Sequence, residues 1–184
     1  MFYCCECGKL QDTSVIQKEQ MLEVKGVPIT LSVNVRICNA CGEEILDEEL
    51  DNETLNAFYR EYRRKMHLLT PEEIASIRER YGLSQISFSK LLGFGDKTIT
   101  RYENGAIQDV CHDNLIRLMG NIESFTDLWN NRKFCLSPRD QEKINKLLNN
   151  YRKLVSKTIP YVNTTYYSSL YAQFPIEGEM LYAG

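Results

Sequence analysis

Ile29, Leu31, Val33, Val35 and Ile37 alternate with Thr30, Ser32, Asn34 and Arg36. A period of two predicts a half-buried strand. Gly26-Val27-Pro28 ahead of it reads as a turn, and residues 13–24 as the preceding antiparallel strand. Further along, the period lengthens. Leu55, Phe58, Tyr59, Tyr62 and Met66 share one helical face, which predicts a helix over 47–66. Acids at its start and bases at its end suit the helix dipole.

Punctuation then becomes dense. Thr70-Pro71-Glu72-Glu73 is a capping box with proline at the first helical position. It opens a helix to Tyr81, which Gly82 stops. Ser84 caps a helix over Gln85–Leu92, ended by Gly93. Asp96 is the cap expected for a third helix, Lys97–Glu103, ended by Asn104-Gly105. A further helix is expected over Cys111–Ile122, with Leu115, Leu118, Met119 and Ile122 inward. Ser137-Pro138 caps an amphipathic helix to 156, marked by Ile144, Leu147, Leu148, Tyr151, Leu154 and Val155. Residues 158–184 show no period and hold Tyr161, Tyr166, Tyr167, Tyr171 and Tyr182. They read as a docked tail or a linker.

The fold class is therefore α+β. A small antiparallel β unit (1–46) precedes a linker helix (47–68), an all-α domain (69–132), and a C-terminal helix with a tyrosine-rich tail (133–184).

Cysteine placement gives the β unit its chemistry. Cys4-Cys5-Glu6-Cys7-Gly8 and Cys38-Asn39-Ala40-Cys41-Gly42 each contain Cys-x-x-Cys-Gly. Two such turns supply four sulfur ligands, the number a closed tetrahedral zinc site uses. The expectation is one structural Zn2+ per chain on Cys4, Cys7, Cys38 and Cys41, closing one end of the sheet. Cys5 is too close to Cys7 for the same turn and reads as a bystander. A unit this small gains folding free energy from the metal. A catalytic zinc keeps a position open, and neither His67 nor His112 lies near the cysteines, so no enzyme is expected.

Seven cysteines, four of them in metal-binding turns, point to a reducing cytoplasm rather than a disulfide framework. Cys111 and Cys135 read as buried small apolar residues. No secretory signal precedes Cys4, and no apolar run approaches the ~20 residues of a membrane span. The net charge is −3, but its distribution is uneven. Residues 43–53 are acidic, and Arg60, Arg63, Arg64 and Lys65 follow. The segment 130–157 is rich in Lys and Arg, so basic surfaces sit on an acidic whole.

Residues 83–105 read LSQISFSKLLGFGDKTITRYENG. Ser89 is the small residue at a close helix crossing. Gly93-Phe94-Gly95 is a tight turn. Phe88, Leu91, Leu92, Ile99 and Tyr102 are apolar anchors, and Glu103 is positioned as an ion-pair partner for another helix. Lys97, Thr98 and Arg101 face outward at the start of the second helix, the part of a helix-turn-helix that enters a major groove. Arg101 suits bidentate recognition of guanine, while Ser84 and Gln85 at the first helix suit phosphate.

This stretch resembles the Xre/Cro-like helix-turn-helix family. Together with the paired cysteine turns, the chain resembles MqsA-type antitoxins, with a YgiT-type zinc finger and that helix-turn-helix, over roughly residues 1–130. The resemblance implies a type II antitoxin whose zinc domain engages a cognate toxin. It also implies a helix-turn-helix domain that dimerises and represses its own promoter, with base contacts on Lys97 and Arg101. The partners expected are a palindromic double-stranded operator, the toxin and a second copy of the chain. The alternative is a zinc-finger/helix-turn-helix regulator without a toxin.

Overall fold

The computed structural model describes residues 1–158. The tyrosine-rich tail lies outside the described residues. Residues 1–144 form one unit, and a second begins at Asn145.

The N-terminal part is built on the expected hairpin. β3 (Thr13–Val24) pairs antiparallel with β4 (Val27–Cys38), and a short β5 (Glu44–Ile45) lies on the other side of β4. The turn sits one residue earlier than expected. Val24 opposes Val27, and Lys25-Gly26 adopt positive φ as a two-residue hairpin loop. Ahead of it, β1 (Phe2–Cys4) pairs with β2 (Lys9–Gln11). That hairpin was not anticipated, since three-residue strands are too short to show a period.

α1 (Glu48–Lys65) starts at Asp47, whose carboxylate accepts from the N–H groups of Glu49 and Leu50. It lays Phe58 and Tyr62 against Val24, Ile29, Val33 and Val35 to make the core of this half. Asp47 also accepts from Arg36 Nε at 2.6 Å, and the Arg36 guanidinium lies 3.9 Å over the Phe2 ring. One arginine thus ties the helix start, the central strand and the first hairpin together. The Arg36 contact holds the Asp47 carboxyl below the usual range.

The helical part follows the caps read from the sequence. α2 (Pro71–Arg80) has its full capping box at Thr70. α3 (Gln85–Leu92) is capped by Ser84 and ends at left-handed Gly93. α4 (Thr98–Glu103) begins one residue late. Its cap position is Lys97, with no side-chain bond, so Asp96 does not cap it.

The helix expected over 111–122 is two helices. α5 (Val110–Leu118) ends before Gly120, and α6 (Ile122–Arg132) starts anew at an Asn121 cap. The inward residues of α5 and its end are Asp113, Ile116 and Met119, whereas Leu118 is 56% exposed. This phase also overturns the buried placement of Cys111. Two residues before Asp113, it points away from the buried face and is exposed. Cys135, in a 3-10 turn (Lys133–Cys135), is half-buried beside Arg132. α6 was missed although it supplies two large core residues, Phe125 and Trp129. Phe125 stacks on Tyr81 with ring centroids 3.5 Å apart. α7 (Pro138–Thr158) is the expected C-terminal helix.

Arg78 and Glu103 form a largely but not fully buried bidentate pair at 2.6 and 2.8 Å, as the sequence led us to expect of Glu103. Removing one member of such a pair strands a charge. Glu103→Ala is expected to cost about 3–5 kcal/mol, read as a lower urea midpoint. An unchanged midpoint would mean that the pair is dispensable.

Candidate metal centre and nucleic-acid interface

The two cysteine turns are built alike. Gly8 N–H donates to Cys4 O and Gly42 N–H to Cys38 O, each at 2.9 Å, and both glycines have positive φ. That conformation costs a residue with a Cβ more, which explains the glycine after each pair. The turns face each other because β1 ends at Cys4 and β4 at Cys38. The sulfurs of Cys4, Cys7, Cys38 and Cys41 all lie within 4.8 Å of one another. Cys4 and Cys41 are 3.5 Å apart, and Cys7 and Cys38 are 3.9 Å apart. A tetrahedral ion with sulfur at ~2.3 Å needs sulfurs ~3.8 Å apart, so the four can hold a metal ion. Cys5 is exposed and outside the cluster.

The thiols are already unequal. The Cys41 N–H, with help from Ala40 N–H, stabilises the Cys38 thiolate and lowers its pKa to about 7. Cys41 accepts from the Glu43 N–H, which favours its thiolate. Desolvation and the neighbouring sulfurs outweigh this and push it up to about 12. Such a crowd of sulfurs releases its protons together only to a cation.

The second candidate site lies on α3 and α4. Ser89 is fully buried where the helices cross, and its Oγ accepts from Ile99 N–H at 3.3 Å. Phe88, Leu91, Leu92, Ile99 and Tyr102 are buried around it. Lys97 and Arg101 are exposed, four residues apart on one face, with half-buried Thr98 between them. Behind α4, the Tyr102 hydroxyl meets His112 Nδ1 at 2.7 Å, and Phe94 packs on the His112 ring.

Ser84 is exposed, and its Oγ caps Ser87 N–H. The Gln85 amide makes bonds inside the domain. Its Nε2 donates to Glu103 at 2.7 Å, and its Oε1 accepts from Thr100 at 2.8 Å. Sequence reasoning assigned Gln85 to phosphate, but it did not foresee this bridge between the first turn of α3 and α4. Only the pairing of three side chains in space reveals it.

The two halves interlock just after α4. Buried Arg63 of α1 donates from Nη2 to Gly105 O at 2.6 Å and Ala106 O at 3.1 Å. Ile107 packs into the core of the β half, and Lys25 at the hairpin tip donates to Gln108 O. Gln108 and Asp113 are themselves buried, bonded to each other and to Leu69. Burial lowers the pKa of Arg63, opposed by the nearby Glu72 carboxylate. None of these roles carried a sequence signal.

Among the described residues, no helix is long and apolar enough to cross a membrane.

A family model described as the antitoxin component of a bacterial toxin-antitoxin system, MqsA, matches residues 2–132. Among curated proteins, the chain is similar to "Antitoxin MqsA" of Escherichia coli (strain K12). The two are 26% identical over 124 residues, which cover 62% of this chain and 92% of that protein.

If the four clustered sulfurs hold the metal, Cys38→Ser or Cys4→Ser should lose it and Cys5→Ser should keep it. Elemental analysis of the purified proteins decides this. Full metal content in a Cys4→Ser/Cys38→Ser double variant would exclude the assignment.

Proposed function

The chain belongs to the MqsA family of bacterial antitoxins, and from that premise we propose that it is also a DNA-binding repressor of its own promoter. The family implies a cognate toxin as partner. The observation that carries the repressor reading is the presentation of Lys97 at the cap of α4 and Arg101 within it, both exposed and backed by a buried anchor set. Arg101 reads guanine bidentately in a major groove, and Lys97 and Thr98 contact neighbouring base edges. Ser84 and the first turn of α3 bind backbone phosphate and fix the register.

The metal in this reading is one structural Zn2+ per chain. Four sulfurs leave no open coordination position, so the ion serves the fold. The protein works in the reducing cytoplasm, where these thiols stay free to bind it.

A single recognition helix reads few base pairs, so the active species is a homodimer on a palindrome. Its contact is the later part of α7, where Tyr151 and Leu154 are exposed. The toxin is received by the β half. β3 is a 12-residue edge strand with Val15, Ile16 and Met21 exposed, which suits pairing with a partner strand.

Arg101→Ala should lower operator affinity by about 1–3 kcal/mol and erase the preference over scrambled DNA. Binding isotherms on both duplexes at one fixed salt concentration read this out. Retained preference would mean that another helix enters the groove. Light scattering should find a dimer at high micromolar protein, and a strict monomer with and without DNA ends that part of the reading. A charged Ile16→Lys/Met21→Lys variant should lose toxin in co-purification while keeping operator binding. Undiminished toxin capture would move the toxin interface off β3.

A further inference from the structure

The residues matched by the family end at 132, yet the first turns of α7 fold back onto the helix-turn-helix. Lys143 Nζ donates to Gly82 O at 2.5 Å, two residues before the Ser84 cap of α3. A Cβ at Gly82 would lie 2.6 Å from the same ammonium, so the lysine sits directly on this turn. Asp140 Oδ2 accepts from Ser87 Oγ at 2.9 Å and from Ser137 Oγ at 3.0 Å. Ser84 Oγ in turn donates to Ser87 Oγ at 2.9 Å. The starts of α3 and α7 therefore share one polar rim. Arg139 is exposed and four residues before Lys143, on the same face of α7.

We propose that this start of α7 is a second DNA-backbone contact, in which Arg139 and Lys143 bind phosphates next to the one held at the first turn of α3. The inference rests on the DNA reading above. Helix-turn-helix proteins orient themselves through phosphate contacts around the first helix, and the rim continues that surface. Lys143 uses one of its three donors on Gly82 O and keeps two for phosphate oxygens. Each phosphate neutralised releases counterions, so the contact has a salt signature. Asp140 works in the opposite direction, as a negative charge beside the phosphate path. Glu142 is a further exposed acid on this turn. Arg139 and Lys143 lie beyond the residues matched by the family, so the contact lengthens the footprint of this chain without adding base readout.

The test is fluorescence anisotropy of the full chain on two duplexes across a salt series. One duplex carries the DNA directly upstream of its own coding sequence, and the other is its scramble. Arg139→Ala/Lys143→Ala should weaken both by a similar factor, roughly tenfold, and flatten the log–log salt slope by about 1.8. Lys143→Arg should keep the wild-type slope, and Asp140→Asn should bind both duplexes more tightly. The proposal is overturned if the double variant keeps wild-type affinity and slope while Arg101→Ala loses operator preference. It is also overturned if Lys143→Arg is as weak as the double variant, since packing and not charge would then be at stake. If the wild type binds neither duplex at any salt, the DNA reading itself fails, and this inference with it.

Discussion

The cysteine end of the β half depends on one electrostatic constraint, the gathering of four sulfurs within 4.8 Å. Little else holds that end of the sheet. The cluster of buried residues there consists of Cys4, Cys38 and Ile45, with Phe2 and Cys7 partly buried against it. Three-residue strands supply too few hydrogen bonds and too little apolar area to hold a hairpin by themselves. Four thiolates repel one another, and four neutral thiols pack only weakly. The unequal pKa values of Cys38 and Cys41 express that conflict. A metal ion held by the four sulfurs would resolve it, and its binding free energy would then become folding free energy. The Arg36–Asp47 pair carries the order of this end into α1.

From α1 the constraint passes to the helical half through the loop Gly105–Gln108. Arg63 brings a buried cation to two backbone carbonyls, and its Nε has no hydrogen-bond partner among the described residues. Burying a guanidinium without a carboxylate partner is costly. The return is that the end of α4 is fixed by a side chain from the other half, with Ile107 filling that half's core. A partner that disturbs α1 or the hairpin tip therefore acts directly on the segment that follows α4. The observed contacts join the two halves more closely than a free linker helix would.

The signals legible in the sequence were those with a short-range physical cause. Thr70, Ser84 and the glycine after each cysteine pair act within a few residues, and each sits as expected. The four metal-capable cysteines were legible for the same reason, because spacing inside each turn fixes the geometry. What escaped was set by tertiary partners. Asp113 reads as a surface acid, yet it is buried because Leu69 N–H, Gln108 and Arg117 converge on it. Once Asp113 turns inward, the phase of α5 is fixed, Leu118 and Cys111 face out, and the helix ends before Gly120. The new cap at Asn121 was visible as a residue type but was absorbed into one long apolar pattern.

α4 shows why the candidate interface could be only half read. It has six residues, too few for a helix to hold itself in water. Its order comes from outside. Ser89 Oγ takes the Ile99 N–H, Gln85 holds Thr100 and Glu103, Arg78 fixes Glu103, and Arg63 binds the carbonyls just beyond its end. The outward residues Lys97 and Arg101 were identifiable from the pattern, but their presentation is a property of α1, α2 and α3. Gln85 is the clearest case. Its amide bonds Glu103 and Thr100 of α4 and keeps a second Nε2–H. The side chain helps set where Lys97 and Arg101 stand relative to the first turn of α3. The start of α3 and the placement of α4 are then coupled through a single glutamine.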